Sequence, residues 1–234
     1  MKTLVPVAVF RSPFGSKFGV PRQSGLAPDL PGRVEFEPPF RDPAAWRGIA
    51  DFDYVWLVWG FHGVEPVPGA PFRPTVRPPR LGGNARVGVF ATRSPFRPNG
   101  LGLSAVRLVG ADATGLDVAG ADLADGTPVY DVKPYLPWAD ARPDARAGFA
   151  GEPPAPRLEV RLPDALAAAF PPAERAALLQ ALALDPRPAW QDDPERVYGF
   201  PFAGREVRFR VAGGVLSVLS ADPAAAAADG AGGA

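Results

Sequence analysis

The chain contains no cysteine, which excludes disulfides, thiolate catalysis and cysteine-ligated metals together. It has a single histidine, His62, so a histidine-rich metal site is excluded and a Ser-His-Asp triad fits poorly. No stretch approaches the roughly 18 apolar residues of a membrane helix. No G-x-G-x-x-G follows a strand, and no P-loop ends in Gly-Lys-Ser/Thr. Gly82-Gly83 and Gly100-Leu101-Gly102 are too isolated to serve as either. The N-terminal run MKTLVPVAVFRSP is broken by Pro6 and Arg11, well short of a secretory signal, so a soluble cytoplasmic protein is expected. Net charge is also lacking, with 25 Lys and Arg against 25 Asp and Glu. That balance argues against indiscriminate binding to nucleic acid or anionic membranes, although a local patch survives it.

One further absence is local. No Asp or Glu occurs between Glu65 and Asp112, and the gap holds Arg73, Arg77, Arg80, Arg86, Arg93 and Arg97. Positive charge is therefore placed rather than merely abundant. Arginine offers a planar fork of donors that suits phosphate and stacks on bases. Composition alone points to an anion site in residues 73–104.

With 234 residues, 47% of them hydrophobic, the chain suits one large domain or one domain with a small companion. The 31 prolines and 26 glycines favour short strands over long helices. Strands are predicted at 4–10, 54–59, 86–91, 103–109, 116–121 and 128–133, and their turn-bounded spacing suggests a barrel or curled sheet. A short helix is predicted at 43–50. Proline-rich 141–157 reads as a linker. Residues 164–184 read as two short helices split at Pro171-Pro172. Strict alternation in 206–211, with 215–219 across Gly213-Gly214, predicts a hairpin. The fold class expected is mainly β, with a single-sheet β-barrel core at 1–140 and a small α+β C-terminal domain at 158–220. Residues 221–234 read as a low-complexity tail.

Two loops look chemical. PRQSG, from Pro21 to Gly25, is by itself only a turn. In LADGTPVYDVKPYLPWAD, Asp125-Gly126 makes a tight turn, and Asp131 and Lys133 share one face of the following strand. That pair reads either as an exposed ion pair of little worth or as part of a polar face converging on a ligand.

FRSPFGSKFGVPRQSGL, VRPPRLGGNARVGVFATRSPFRPNGLGLSAVRL, DLADGTPVYDVKPYLPWAD and the later DPRPAW closely resemble the TrmO/TsaA-like family of tRNA methyltransferases. The similarity is strong over about 5–140 and weaker over 158–220. The resemblance implies a β-barrel that binds S-adenosyl-L-methionine without a Rossmann fold. It also implies a homodimer and a small C-terminal domain that helps to hold the anticodon stem-loop of tRNA. The implied reaction is methylation of N6 of threonylcarbamoyladenosine at position 37 of threonine tRNA, with no metal and no membrane. By matching motif, the cofactor contacts would be Pro21, Arg22 and Gln23, then His62 and Gly63, then Arg93 and Leu101, then Leu123, Ala124, Asp125 and Gly126. Gly63 stands where family members often have Gln, and Gly100 where the motif usually has Pro.

Methyl transfer from a sulfonium needs alignment and exclusion of water rather than a covalent intermediate. The urea-like N–H of the modified base needs only a modest general base, for which Asp131 and Asp125 are the candidate carboxylates, Asp131 slightly favoured; the alternative for either is a structural role. Arg77, Arg80, Arg86, Arg97, Lys133 and Arg187 are the expected RNA contacts, with Arg93 turned to the cofactor. Two alternatives remain open: a non-catalytic nucleoside-binding regulatory barrel, and a methyltransferase of another small substrate.

Overall fold

The computed structural model describes residues 3–62, 71–82, 84–152, 154, 156–187, 191 and 193–224. The strands are β1 (Ala8–Arg11), β2 (Pro31–Phe36), β3 (Tyr54–Gly60), β4 (Thr75–Val76), β5 (Val87–Gly88), β6 (Leu101–Ala111), β7 (Gly115–Ala119) and β8 (Thr127–Pro134). After α1 (Pro137–Asp140) come β9 (Glu159–Arg161), α2 (Asp164–Ala167), α3 (Pro172–Ala183), β10 (Tyr198–Phe202), β11 (Arg205–Ala212) and β12 (Val215–Pro223). The mainly β composition agrees with expectation. Among the described residues no helix is long and apolar enough to cross a membrane.

Six strands pair in the ring β1-β2-β7-β6-β3-β8, and β8 returns to β1 through Ala8↔Val129 and Phe10↔Thr127. Ring closure follows from alternation. Val55, Leu57 and Trp59 on β3, Val34 and Phe36 on β2, and Val129 on β8 all point inward and are buried. Outward positions carry charge, and Arg33 on β2 ties the β6–β7 hairpin by reaching Asp117 and Asp112, each at 2.7 Å. One end of the barrel is plugged by Trp46, which stacks on Phe36 at 4.5 Å and donates to the Asp112 carbonyl. Trp46 sits on a 3-10 turn, Pro43–Trp46, capped by the Asp42 side chain; the helix expected over 43–50 is two such turns, the second at Ile49–Asp51.

Several expected elements changed length. The strand expected at 4–10 forms only as β1, Ala8–Arg11, because Pro6 has no N–H to extend the ladder. The predicted strand 86–91 shrinks to the two residues of β5, followed by a 3-10 turn, because its partner among the described residues is the short β4, flanked by Pro74 and Pro78. A proline lacks the N–H that a longer ladder would need. The expected tail loses its first residues to β12, which runs to Pro223 with Ala221 buried, while 225–234 lie outside the described residues.

The second sheet has the order β10-β11-β12-β9, with β9 parallel to β12. Helix α3 begins at Pro172, as the Pro-Pro break predicts, and buries Ala177, Leu178, Ala181 and Leu182 against it. Gly213 and Gly214, with φ of 57° and 79°, make the expected hairpin turn. The core beneath is not made by 158–220 alone. Phe14, Ala27 and Leu30, from the connection between β1 and β2, are part of it. Phe14 bridges to Phe202, Ala203 N donates to Pro13 O at 2.8 Å, and Gln180 Nε2 donates to Asp29 at 2.6 Å. That connection thus belongs to both lobes.

The ion pairs give the fold a definite acid response. Arg33 and the Thr114 donors hold the Asp112 carboxyl well below its ordinary value of 3.8. Arg11 lowers Glu35, and the Leu136 amide and Trp56 indole lower Asp140. A carboxyl lowered in the folded state contributes stability above its ordinary value, and loses it as pH falls toward the folded one. Stability should therefore decline as pH drops below about 4, and Arg33→Met should flatten that decline; urea midpoints measured from pH 6 down to pH 3 check this.

Candidate functional site

Antiparallel pairing brings the C-terminal ends of β3 and β7 and the N-terminal ends of β6 and β8 to one end of the barrel. Four loop segments with chemical side chains meet there. The loop Pro21–Gly25 is tied down by Gly25 N donating to Gly120 O at 2.8 Å. Within it Gln23 Oε1 accepts from Arg93 Nη1 at 2.5 Å, which joins the first and third of the motif segments. At the end of β3, Phe61 N donates to Gly100 O at 2.7 Å, so the Asn99-Gly100 turn and His62 are neighbours through the backbone. The His62 Nδ1 lies 3.3 Å from Thr127 Oγ1, whose proton goes to Ala124 O at 2.7 Å. With the hydroxyl proton committed, Nδ1–H is the donor to Thr127.

The centre of this end is a group that sequence reasoning missed. Trp59 Nε1 donates to Ser104 Oγ at 3.0 Å, and Ser104 Oγ donates to Asp122 Oδ1 at 2.5 Å. Ser104 is 2% exposed. Burial pushes the Asp122 carboxyl above the usual carboxylate range, opposed by the Ser104 hydroxyl, its own amide, the Arg93 guanidinium and the Ser24 amide. Asp122 therefore touches or faces β6, the Pro21–Gly25 loop and Arg93 at once. Gly102 makes room for this arrangement: a Cβ there would lie 2.3 Å from the Trp59 ring. The one available signal was Asp122 itself, directly before the LADG loop.

The remaining expected residues fall in different places. Pro21 is buried, Arg22 is exposed, and Leu101 is half-buried at the start of β6. Leu123 is 1% exposed and packs in the barrel core, so only its backbone is offered to a ligand. Gly126, with φ of 78°, closes the turn and donates to Phe10 O. Gly63 lies outside the described residues. Asp125 accepts from Ser12 N at 3.0 Å, which anchors the connection after β1. Asp131 pairs with Lys133 at 2.8 Å on the outer face of β8 and also accepts from Val132 N. The exposed-pair reading is thus the one the geometry matches, and Lys133 is engaged by the same contact.

The arginines divide. Arg77, Arg80 and Arg86 are exposed on or beside the β4–β5 ribbon, with Arg80 donating to the Glu152 carbonyl and Arg86 to Thr75 Oγ1 at 3.3 Å. Arg97 is half-buried and donates to Thr92 O at 2.7 Å, which fixes its own loop. Arg187 forms a two-pronged pair with Asp185, at 2.9 and 3.0 Å, and is largely shielded from solvent.

A family model for the tRNA-methyltransferase O N-terminal domain matches residues 9–141, and a model for the C-terminal domain of the same family matches residues 155–224. The chain belongs to this family. A tRNA (adenine(37)-N6)-methyltransferase of Escherichia coli (strain K12) is 40% identical over 229 residues, covering 93% of this chain and 96% of that one. A Pseudomonas aeruginosa protein, provisionally described as an S-adenosylmethionine-dependent methyltransferase, is 48% identical over 203 residues, covering 83% and 86%. The crystal structure of TrmO from Pseudomonas aeruginosa superposes with a TM-score of 0.77 at 35% identity, covering 94% of this chain and 98% of that one. Of the stretches that carried the resemblance, those holding Gln23, Arg93 and Asp122 meet at the barrel end, whereas Asp185-Pro186-Arg187 lies in the C-terminal lobe.

Proposed function

We propose that the chain is an S-adenosylmethionine-dependent tRNA methyltransferase that methylates N6 of threonylcarbamoyladenosine at position 37 of threonine tRNA. The observation that carries this reading is the meeting of Gln23, His62, Arg93 and Asp122 at one barrel end, in a chain aligned almost end to end with a tRNA (adenine(37)-N6)-methyltransferase.

The donor set suits the cofactor. Arg93, held by Gln23, presents a guanidinium to a carboxylate. Asp122 offers acceptor positions to hydroxyl or ammonium groups, and Phe61, packed edge-on to Trp59 at 4.4 Å, gives an apolar wall. When bound, S-adenosylmethionine supplies an electrophilic methyl group on a sulfonium. The chain's own part is alignment. The Trp59–Ser104–Asp122 chain fixes the floor of the site and the Pro21–Gly25 loop fixes its side, so that a nucleophilic nitrogen can be held in line while water is excluded. Asp125 and Asp131 support the loop and strand around this site, and no proton-transfer role is proposed for either.

Arg77, Arg80 and Arg86 would meet phosphates of the anticodon stem-loop, positioning the RNA without reading its sequence. The assembly proposed is a homodimer in the cytoplasm. Phe72 and Phe90, which stack at 6.1 Å and are 54% and 73% exposed, are apolar surface that a second copy would cover.

The deciding experiment incubates the protein and labelled S-adenosylmethionine with tRNA from cells lacking the protein, followed by nucleoside mass spectrometry. A methylated threonylcarbamoyladenosine is expected, and no product with tRNA lacking the threonylcarbamoyl group. Equal transfer to both would remove the modified base as the substrate, and transfer to neither would remove the reading. Affinity for tRNA should also fall steeply with salt, and each of Arg77, Arg80 and Arg86 changed to Ala should reduce the log–log slope by about one.

A further inference from the structure

A cavity of about 240 Å³ opens on the C-terminal lobe, lined by Phe18, Gln191, Arg196, Tyr198, Phe209 and Pro186 among others. It shares no residue with the barrel-end site. Its walls are flat and aromatic: the rings of Tyr198 and Phe209 stack at 5.6 Å with 22° between planes. The Arg196 guanidinium carbon lies 5.5 Å from the Tyr198 ring centroid. Phe18, which also lines it, is 51% exposed. Its exposure is not slack, because Gly19 beside it, with φ of 82°, lies so close to Phe14 and Phe200 that a Cβ would come within 2.7 Å of the Phe14 ring. The loop is pressed onto the core and the Phe18 ring is left standing outside it.

One polar atom of a residue lining this cavity is unaccounted for. The Tyr198 hydroxyl is buried, and among the described residues it has no hydrogen-bond partner. A buried hydroxyl without a partner costs stability, so a phenylalanine would serve the fold better unless something bound here uses the oxygen. Tyr198 also begins β10, the edge of its sheet, so its surroundings remain open on one side.

We propose that this cavity is a nucleobase pocket, taking one unpaired nucleotide of the tRNA by stacking on Phe18 and by a hydrogen bond from the Tyr198 hydroxyl. Aromatic faces, an amide at Gln191 and a guanidinium at Arg196 are the groups that hold a single-stranded base, whereas a purely aliphatic ligand would use none of the polar ones. The inference rests on the tRNA reading above. It extends that reading from a charged surface to a second, base-gripping point. Phe18 stands on the same β1–β2 connection as Gln23, whose side chain meets Arg93.

The test uses the full chain and two variants, Phe18→Ala and Tyr198→Phe, with methylation kinetics on tRNA and direct binding of an anticodon stem-loop RNA. Phe18→Ala should raise KM for tRNA and the stem-loop Kd by roughly tenfold, with kcat and KM for S-adenosylmethionine unchanged. Tyr198→Phe should weaken tRNA binding by about threefold to tenfold while thermal stability is equal or higher, since it deletes an unpartnered buried group. A purely structural role would not give weaker RNA binding in a more stable protein. Wild-type KM and Kd in both variants would overturn the pocket. If the wild-type transfers no methyl group to tRNA, the functional reading fails instead, and stem-loop binding still decides whether the pocket grips RNA.

Discussion

Phe14→Ala is expected to destabilise the protein by about 3–5 kcal/mol, at the upper end for a single side chain. Phe14 is fully buried, yet the residues that bury it are far away in sequence. Its ring meets Phe202 edge-on at 4.9 Å and Phe200 at 5.8 Å, and its backbone carbonyl accepts from Asp125 N. Removing the ring opens a cavity lined by aromatic rings that cannot collapse far, because both phenylalanines are fixed on β10 and paired to β11. The effect should be felt first in the C-terminal lobe. Hydrogen exchange is expected to show lost protection in β10, β11 and β12, with less change in β3 and β6. The same contact predicts that 158–224 expressed alone will not fold, since Phe14, Ala27 and Leu30 would be missing from its core. A urea midpoint close to wild type for Phe14→Ala would show that the lobe closes without its N-terminal contribution.

That shared core marks where the sequence stops being readable. Strands β3, β6, β7 and β8 were legible because their apolar positions alternate and glycine or proline ends them, and the β11–β12 hairpin because Gly213-Gly214 sits between alternating runs. Strand β2 escaped notice because it begins at Pro31 and carries Arg33 and Glu35 between its inward residues. Strand β10 escaped because Pro201 lies inside it, which only an edge strand tolerates. Local pattern could not say that residues 12–30 pack on a sheet formed after residue 158, since nothing in FRSPFGSKFG has the period of either lobe. The site divides in the same way. The four loop segments were visible as motifs, but Ser104 and Trp59 read as ordinary strand positions. They become polar partners only when β3 lies beside β6. Arg77, Arg97 and Arg187 are the same residue type in similar proline-rich surroundings, and what separates them appears only after folding: Arg97 finds the Thr92 carbonyl, Arg187 the Asp185 carboxylate, and Arg77 stays exposed.

Asp122→Ala should carry the largest loss of activity, on the order of 100-fold in methyl transfer, because it misplaces the groups around the reacting atoms rather than removing one of them. Without the carboxylate, the Ser104 hydroxyl and the Ser24 amide lose a common acceptor inside the barrel end, and Arg93 loses the anion that faces it. Each buried donor left unpaired costs about 1–3 kcal/mol, so some stability goes with the activity. Asp122→Asn separates the two effects. The amide oxygen can still accept from Ser104, so the fold should be retained. The charge that holds Arg93 is gone, so KM for S-adenosylmethionine should rise with a smaller change in kcat. The pH dependence gives an independent signature. Burial raises the folded carboxyl, so the folded state holds this proton more tightly than the unfolded chain does. Its contribution to stability is complete below the ordinary value of 3.8 and is lost as pH rises through the raised one, the reverse of Asp112. Asp122→Asn has no such proton, so from pH 4 to 7 its stability should gain relative to wild type. Equal activity and equal pH slopes in wild type and both variants would remove Asp122 from the site and leave the Gln23–Arg93 contact to hold that arginine.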